Sequence, residues 1–132
     1  MRTRSTLPLL AALAFAACNS STGPDQNLTG NWAGSWYTTI PLGPTEPWLA
    51  TLTQTGTAVS GSLVCEGLES YTVTGSNVHN ALSLTLVGAI SDTAHFNGTA
   101  SDNSGVTASG TFSDDDGEGC FTGVGNWTGR IQ

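Results

Sequence analysis

The pentapeptide Gly-Asn-Trp-Ala-Gly at residues 30–34 recurs as Gly-Asn-Trp-Thr-Gly at residues 125–129, close to the end of the 132-residue chain. Between the two copies, short alternating runs are separated by turn residues about every ten positions, which is typical of a β-sandwich or a β-barrel. Near-identical segments on the first and last strands suit strands that pair with each other. We therefore expect the two copies to close a barrel.

Eight short strands are predicted, each from the alternation of apolar and polar residues along the chain. In the fifth strand, for example, Leu82, Leu84 and Leu86 share one face. The predicted fold class is all-β, a single eight-stranded antiparallel up-and-down barrel formed by residues 28–132. The predicted strands are Leu28–Thr38, Trp48–Gln54, Ala58–Val64, Tyr71–Ser76, Ala81–Val87, Ala94–Ala100, Val106–Ser113 and Phe121–Ile131.

A small motif recurs on four of these strands, in which a glycine follows an apolar residue by two positions. A glycine in the middle of a strand is unfavourable unless the strand bends or another backbone approaches closely. The repetition favours a tightly curled barrel, which also removes exposed edge strands. A flat sandwich with incidental glycines is the alternative. The glycines concerned are Gly61, Gly75, Gly98 and Gly110.

The first seventeen residues have the features of an export signal. Arg2 and Arg4 precede an apolar run that ends at Ala17. The run is too short to span a bilayer as a helix, which needs about 20 residues. We therefore expect residues 1–17 to be a cleaved signal peptide rather than part of the fold.

The end of this segment, Phe-Ala-Ala-Cys at residues 15–18, resembles the lipobox of bacterial lipoproteins, with Phe15 where that family usually has Leu. The resemblance implies a lipoprotein that carries acyl chains such as palmitate on Cys18. The alternative is ordinary cleavage after Ala16, which would leave a free periplasmic or secreted protein.

Residues 18–27 are predicted to comprise the lipidated Cys18 and a flexible polar tether. Acyl chains would anchor the protein in a lipid bilayer, which is the predicted partner. Asn19 stands where Asp often retains such lipoproteins on the inner membrane. The resemblance therefore implies a cell-envelope location at the outer membrane.

The charge of the mature chain limits the classes of partner that it can bind. After removal of the signal, Arg130 is the only basic residue beside ten carboxylates. Nucleic-acid binding requires a basic surface, so nucleic acid is excluded as a partner.

Assigning Cys18 to the lipid leaves Cys65 and Cys120 as an even pair in an oxidising compartment, and we expect a disulfide between them. Two buried free thiols are the alternative.

The segment Gly30-Asn31-Trp32 and the single late Arg130 resemble the lipocalin and avidin superfamily, whose barrels carry a G-x-W motif on the first strand. The resemblance implies a calycin-type barrel in which Arg130 lies over Trp32 at the closed end. A solvated terminal arginine is the alternative. Biotin binding is not implied, because Ala81–Val87 lacks the tryptophan of the avidins.

In an up-and-down barrel the loops after odd-numbered strands meet at one end, here named the rim, and the other turns meet at the base. Both Cys65 and Cys120 are predicted at the rim, with eight of the ten acids. Because barrel mouths are ordinary ligand sites, Trp36, Trp48 and Tyr71 are candidate binding residues for a small apolar or cationic molecule. The alternative is that these aromatic residues pack in the core.

Few other residues indicate a metal site or a catalytic site. Asp114, Asp116 and Glu118 are weak candidates for Ca²⁺ ligands, because their spacing is not that of an EF-hand and a polar hairpin looks similar. His79 and His95 belong to no catalytic motif. We expect neither an enzyme nor a cofactor. Two functions remain open, a ligand-binding lipoprotein and a structural or interaction lipoprotein with a filled barrel; the oligomeric state is not indicated.

Overall fold

The structure, a computed structural model, describes residues 24–65, 69–89, 92–115 and 119–132. The predicted signal peptide and Cys18 lie outside the described residues. No helix among the described residues is long and apolar enough to span a membrane.

The described residues form a closed antiparallel barrel. Each strand pairs with the next in sequence, and the first also pairs with the last. This confirms the predicted all-β, eight-stranded up-and-down fold. The strands are β1 (Gly30–Thr38), β2 (Glu46–Thr55), β3 (Ala58–Cys65), β4 (Glu69–Val78), β5 (Ala81–Gly88), β6 (Thr93–Asp102), β7 (Val106–Asp114) and β8 (Val124–Ile131).

The two pentapeptides lie on the strands that close the barrel, as predicted. In the β1–β8 register, Gly34 is opposite Gly129 and Trp36 is opposite Trp127. Closure therefore leaves no unpaired strand edge, which is a common point of aggregation in open sheets.

The last strand begins three residues later than the alternation predicts, and β1 begins two residues later. β8 starts at Val124 rather than at Phe121, because Gly123 adopts a left-handed φ of 79° that turns the chain. The Phe121 ring points into the barrel and is almost fully buried. A residue predicted to be in a strand is thus part of a rim loop.

The chain before β1 is fixed across the base by side-chain amides. The N–H of Gln26 donates to Asn80 Oδ1 at 2.7 Å, and Asn77 Nδ2 donates to the Gln26 carbonyl at 2.9 Å. Leu28 is fully buried, and its carbonyl accepts the Trp32 indole N–H at 2.8 Å. The chain therefore packs against the barrel from Gln26 onward, within the stretch 18–27 that was predicted as a flexible tether.

The mid-strand glycines permit close approach of neighbouring strands, as predicted for a tightly curled sheet. Gly98 and Gly110 are opposite each other in the β6–β7 pair. A Cβ on Gly110 would overlap the carbonyl oxygen of Asn97, and a Cβ on Gly98 would lie 2.8 Å from Cζ2 of Trp127. The bare backbone therefore leaves the space that the Trp127 ring occupies.

A second indole covers the seam where the barrel closes. A Cβ on Gly129 would lie 2.5 Å from Trp48 Cη2, and a Cβ on Gly34 would overlap the same ring. The Trp48 indole N–H donates to the carbonyl of Ser35 at 3.2 Å, which fixes the ring in this position. Glycine in the wall and tryptophan in the interior are thus complementary parts of one packing arrangement.

Replacing Gly110 by Ala should destabilise the fold by about 1–3 kcal/mol, because the added methyl collides with backbone and cannot move aside. Chemical denaturation followed by tryptophan fluorescence measures the change. The matched control is Ser109→Ala, next in sequence and on the exposed face, for which we expect less than about 0.5 kcal/mol. Equal unfolding midpoints for Gly110→Ala and Ser109→Ala would contradict the close-packed wall.

Candidate functional site

The barrel interior is filled by apolar side chains. A cavity between them measures about 20 Å³, roughly the space of one water molecule. A drug-sized ligand needs some 300 Å³ or more. The cavity lining is Leu28, Trp32, Trp48, Ala50, Leu52, Leu63, Val73, Leu82, Leu84, Leu86, Phe96, Ala108 and Trp127.

The Phe121 side chain fills the barrel at its rim end. Its ring centroid lies 4.9 Å from that of Phe96, 5.0 Å from that of Trp36 and 5.5 Å from that of Tyr71. Such tilted and edge-to-face ring pairs contribute about 0.5–1.5 kcal/mol each beyond area burial. The Phe121 ring therefore occupies the rim end of the barrel interior.

The three aromatic residues predicted to bind a ligand are all core residues in this structure. Trp36, Trp48 and Tyr71 are buried, and each packs against another aromatic ring of the interior. The arrangement agrees with the core-packing alternative. Whether any ligand binds at the rim stays a prediction.

The predicted stacking of Arg130 on Trp32 is wrong. Trp32 is buried and is opposite Ile131 in the β1–β8 register, whereas Arg130 is opposite Ala33. Arg130 is exposed on the outer face of the barrel. Because neighbouring side chains of a strand point to opposite faces, a one-residue difference in position separates the two groups.

The predicted disulfide between Cys65 and Cys120 is confirmed. It joins the end of β3 to the loop before β8 at the rim, with the two Cα atoms 6.5 Å apart. The bridge holds in place the segment that carries Phe121.

A polar network lies directly beneath this disulfide. The Tyr71 hydroxyl donates to Glu69 Oε2 at 3.1 Å and accepts the N–H of Cys120 at 2.9 Å. Burial, and after it the neighbouring Asp92, raises the pKa of the Tyr71 hydroxyl. The same two causes, in the same order, raise the pKa of the Glu69 carboxyl. The network therefore places two acidic side chains close together beside a phenol.

Asp92 is one of the eight acids predicted at the rim, and the structure buries it. Its exposed fraction is 1%, and neither carboxylate oxygen has a hydrogen-bond partner in the described part of the chain. It lies against Gly88 and Gly119, where a Cβ would collide with the carboxylate. The one feature of the sequence that could have indicated this burial is Gly88, four residues earlier. Its N–H donates to the Asp92 carbonyl at 2.8 Å.

The predicted metal ligands are only partly within the described residues. Asp114 ends β7, whereas Asp116 and Glu118 lie outside the described part of the chain. Among the described residues, Cys65, Glu69 and Cys120 cluster at metal-binding distances. The two sulfurs form the disulfide and offer no thiolate, so Glu69 alone of the three is a possible ligand.

The histidines take part in cross-strand and base contacts. His95 Nε2 lies 2.9 Å from Asp115 Oδ2, and its Nδ1 lies 3.5 Å from the hydroxyl of Thr85. The line of hydroxyl, imidazole and carboxylate has the order of a nucleophile–base–acid triad, but Thr85 and His95 lie on the outer face of the paired strands β5 and β6, and Asp115 directly follows β7. His79 pairs with Asp25 at 3.3 Å, with both side chains exposed. The His95 contacts are those of polar groups on a sheet surface, whereas the His79–Asp25 pair joins the turn after β4 to the chain before β1.

A polar pocket of about 240 Å³ lies at the base, where the chain before β1 crosses the barrel. Asn77 is buried there, with its Nδ2 bonded to Gln26 and Gln54 and its Oδ1 without a partner. One ordered water would satisfy that oxygen.

The closed eight-stranded antiparallel barrel is consistent with the calycin-like fold that the Gly30–Trp32 motif implies. No family model, no curated protein and no solved structure matches the chain.

Proposed function

We propose that the protein is a lipid-anchored envelope lipoprotein whose barrel is a structural or interaction module and carries no ligand inside. The observation that supports this function is the interior cavity of about 20 Å³, far below the volume of a small-molecule site. The lipobox-like Phe15–Cys18 segment supports the anchor.

The orientation of the barrel fits such an anchor. Pro24, the first described residue, lies at the base, where its carbonyl accepts the side-chain amide of Asn80. A lipid on Cys18 would hold the base toward the bilayer. The rim, at the opposite end of the barrel, would then face away from the membrane and toward partners.

The rim offers an apolar surface to such a partner. Ile40 and Leu42, in the loop between β1 and β2, are 77% and 79% exposed. Exposed apolar residues that lie together are a feature of interaction surfaces. A carrier function, in contrast, would require Phe121 to leave its contacts with the surrounding rings.

Native mass spectrometry of the protein purified from its own cells tests the absence of an interior ligand. We expect the mass of the mature, acylated chain alone, because the filled core leaves no space for a second molecule. A stoichiometric small molecule that co-purifies and dissociates on unfolding would reject the filled-barrel function. A matched sample unfolded before ionisation separates bound ligand from covalent lipid.

The Cys18→Ala variant tests the anchor. We expect most of the variant to move from the membrane fraction to the soluble fraction, because acyl chains contribute about 0.8 kcal/mol of membrane binding per buried CH₂. The control is Ser20→Ala, two residues away, which should stay with the membrane. Membrane retention of Cys18→Ala equal to that of the control would refute lipid attachment at this cysteine.

A further inference from the structure

The rim holds a convergence of carboxylate oxygens that the structural function does not require. Glu69 starts β4, and Asp92 directly precedes β6. A Cβ added at Gly119 would collide with Asp92 Oδ2 and lie 2.5 Å from Tyr71 Oη, so these two oxygens border the same small space. Tyr71 in turn donates to Glu69 Oε2 at 3.1 Å. The two carboxylates are therefore neighbours around one point beneath the disulfide.

No basic side chain of the described residues is placed to balance these carboxylates. Arg130 is exposed near the base end of the barrel. His79 pairs with Asp25, and His95 pairs with Asp115. Asp92 is 1% exposed, and neither of its oxygens has a hydrogen-bond donor among the described residues, so a charge on this carboxylate would have no basic partner there. An uncompensated buried carboxylate is strongly unfavourable, and cation coordination is one standard way to relieve it.

We propose that Asp92 and Glu69 bind one divalent cation of the Ca²⁺ type at the rim, with Tyr71 as the positioning residue that orients Glu69. Two carboxylates supply up to four oxygens, and water completes the six to eight that Ca²⁺ takes. The site is independent of the lipid anchor and of the filled interior. Its two proposed ligands are other residues than the weak candidates Asp114, Asp116 and Glu118.

A cation at this location would connect separate loops of the rim. Glu69 follows the β3–β4 connection, Asp92 ends the β5–β6 connection, and Gly119 belongs to the segment that carries Phe121. A cation between the two carboxylates would join the first two connections directly and lie beside the third. Binding should therefore raise the stability of the rim and of the whole domain.

Thermal unfolding of the purified protein in CaCl₂ and in EDTA, at equal ionic strength, tests the proposal. At a calcium concentration about one hundred times the dissociation constant, the unfolding temperature should rise by roughly 10 °C. Dissociation constants of about 10⁻⁴–10⁻³ M are typical of extracellular sites, so the titration extends beyond 10 mM. Isothermal titration with CaCl₂ should give one site per chain.

Asp92→Asn should abolish the calcium-dependent rise. Glu69→Gln, at a half-buried position, should weaken it at least tenfold and serves if Asp92→Asn does not fold. The matched control is Asp102→Asn at the exposed opposite end of β6, which should respond as the wild type does. An unfolding temperature that is the same in CaCl₂ and EDTA, with no heat of binding, would overturn the proposal. So would a calcium response that Asp92→Asn retains, because the ion would then bind elsewhere.

Discussion

Closure of eight strands into one narrow barrel is the constraint on which the rest of this structure depends. The interior of an eight-stranded barrel can be filled by side chains or can hold one small ligand. Here the filling consists of large rings set against bare wall positions, with Trp48 over Gly34 and Gly129 and Trp127 against Gly98. The same glycines that let the strands approach one another therefore make room for the aromatic core.

The packing of the core determines whether a ligand can enter the barrel at the rim. Because Phe121 occupies the space among Trp36, Tyr71 and Phe96, the barrel end that would admit a ligand is occupied by the protein itself. The Cys65–Cys120 disulfide holds the segment that carries this ring. This packing supports the proposed interaction function at the surface of the rim, where polar groups and the exposed side chains of Ile40 and Leu42 lie.

The alternation of apolar and polar residues predicted the strands, their order and the closing pair, because these features follow from local periodicity and from the repeated pentapeptide. The position of Cys65 and Cys120 at one end followed from the same topology. Arg130 was placed wrongly because the resemblance to lipocalins gave a pairing but not the register, and one residue reverses the face of a strand.

The sequence predicted the positions of the candidate-site residues less well than it predicted the strands. Asp92 appears in the sequence as an ordinary acid in a turn, and its burial arises only when Gly88 and Gly119 meet around it. Phe121 continues an apolar alternation into β8, and only the left-handed Gly123 takes it out of the strand. Gln26 lies in a polar stretch that is typical of a flexible tether, and its burial depends on Asn77 and Asn80, which are distant in the sequence. Each of these depends on contacts between distant segments, which periodicity does not encode.

The central claim, that the aromatic core extends to the rim and closes the barrel, is tested most directly by nuclear Overhauser effects in solution. With the aromatic protons assigned, the Phe121 ring should show cross-peaks to the rings of Trp36 and Phe96, whose centroids lie 5.0 and 4.9 Å away. Absence of both cross-peaks, together with a Phe121 ring accessible to a soluble paramagnetic probe, would contradict the account and leave the barrel open at its rim.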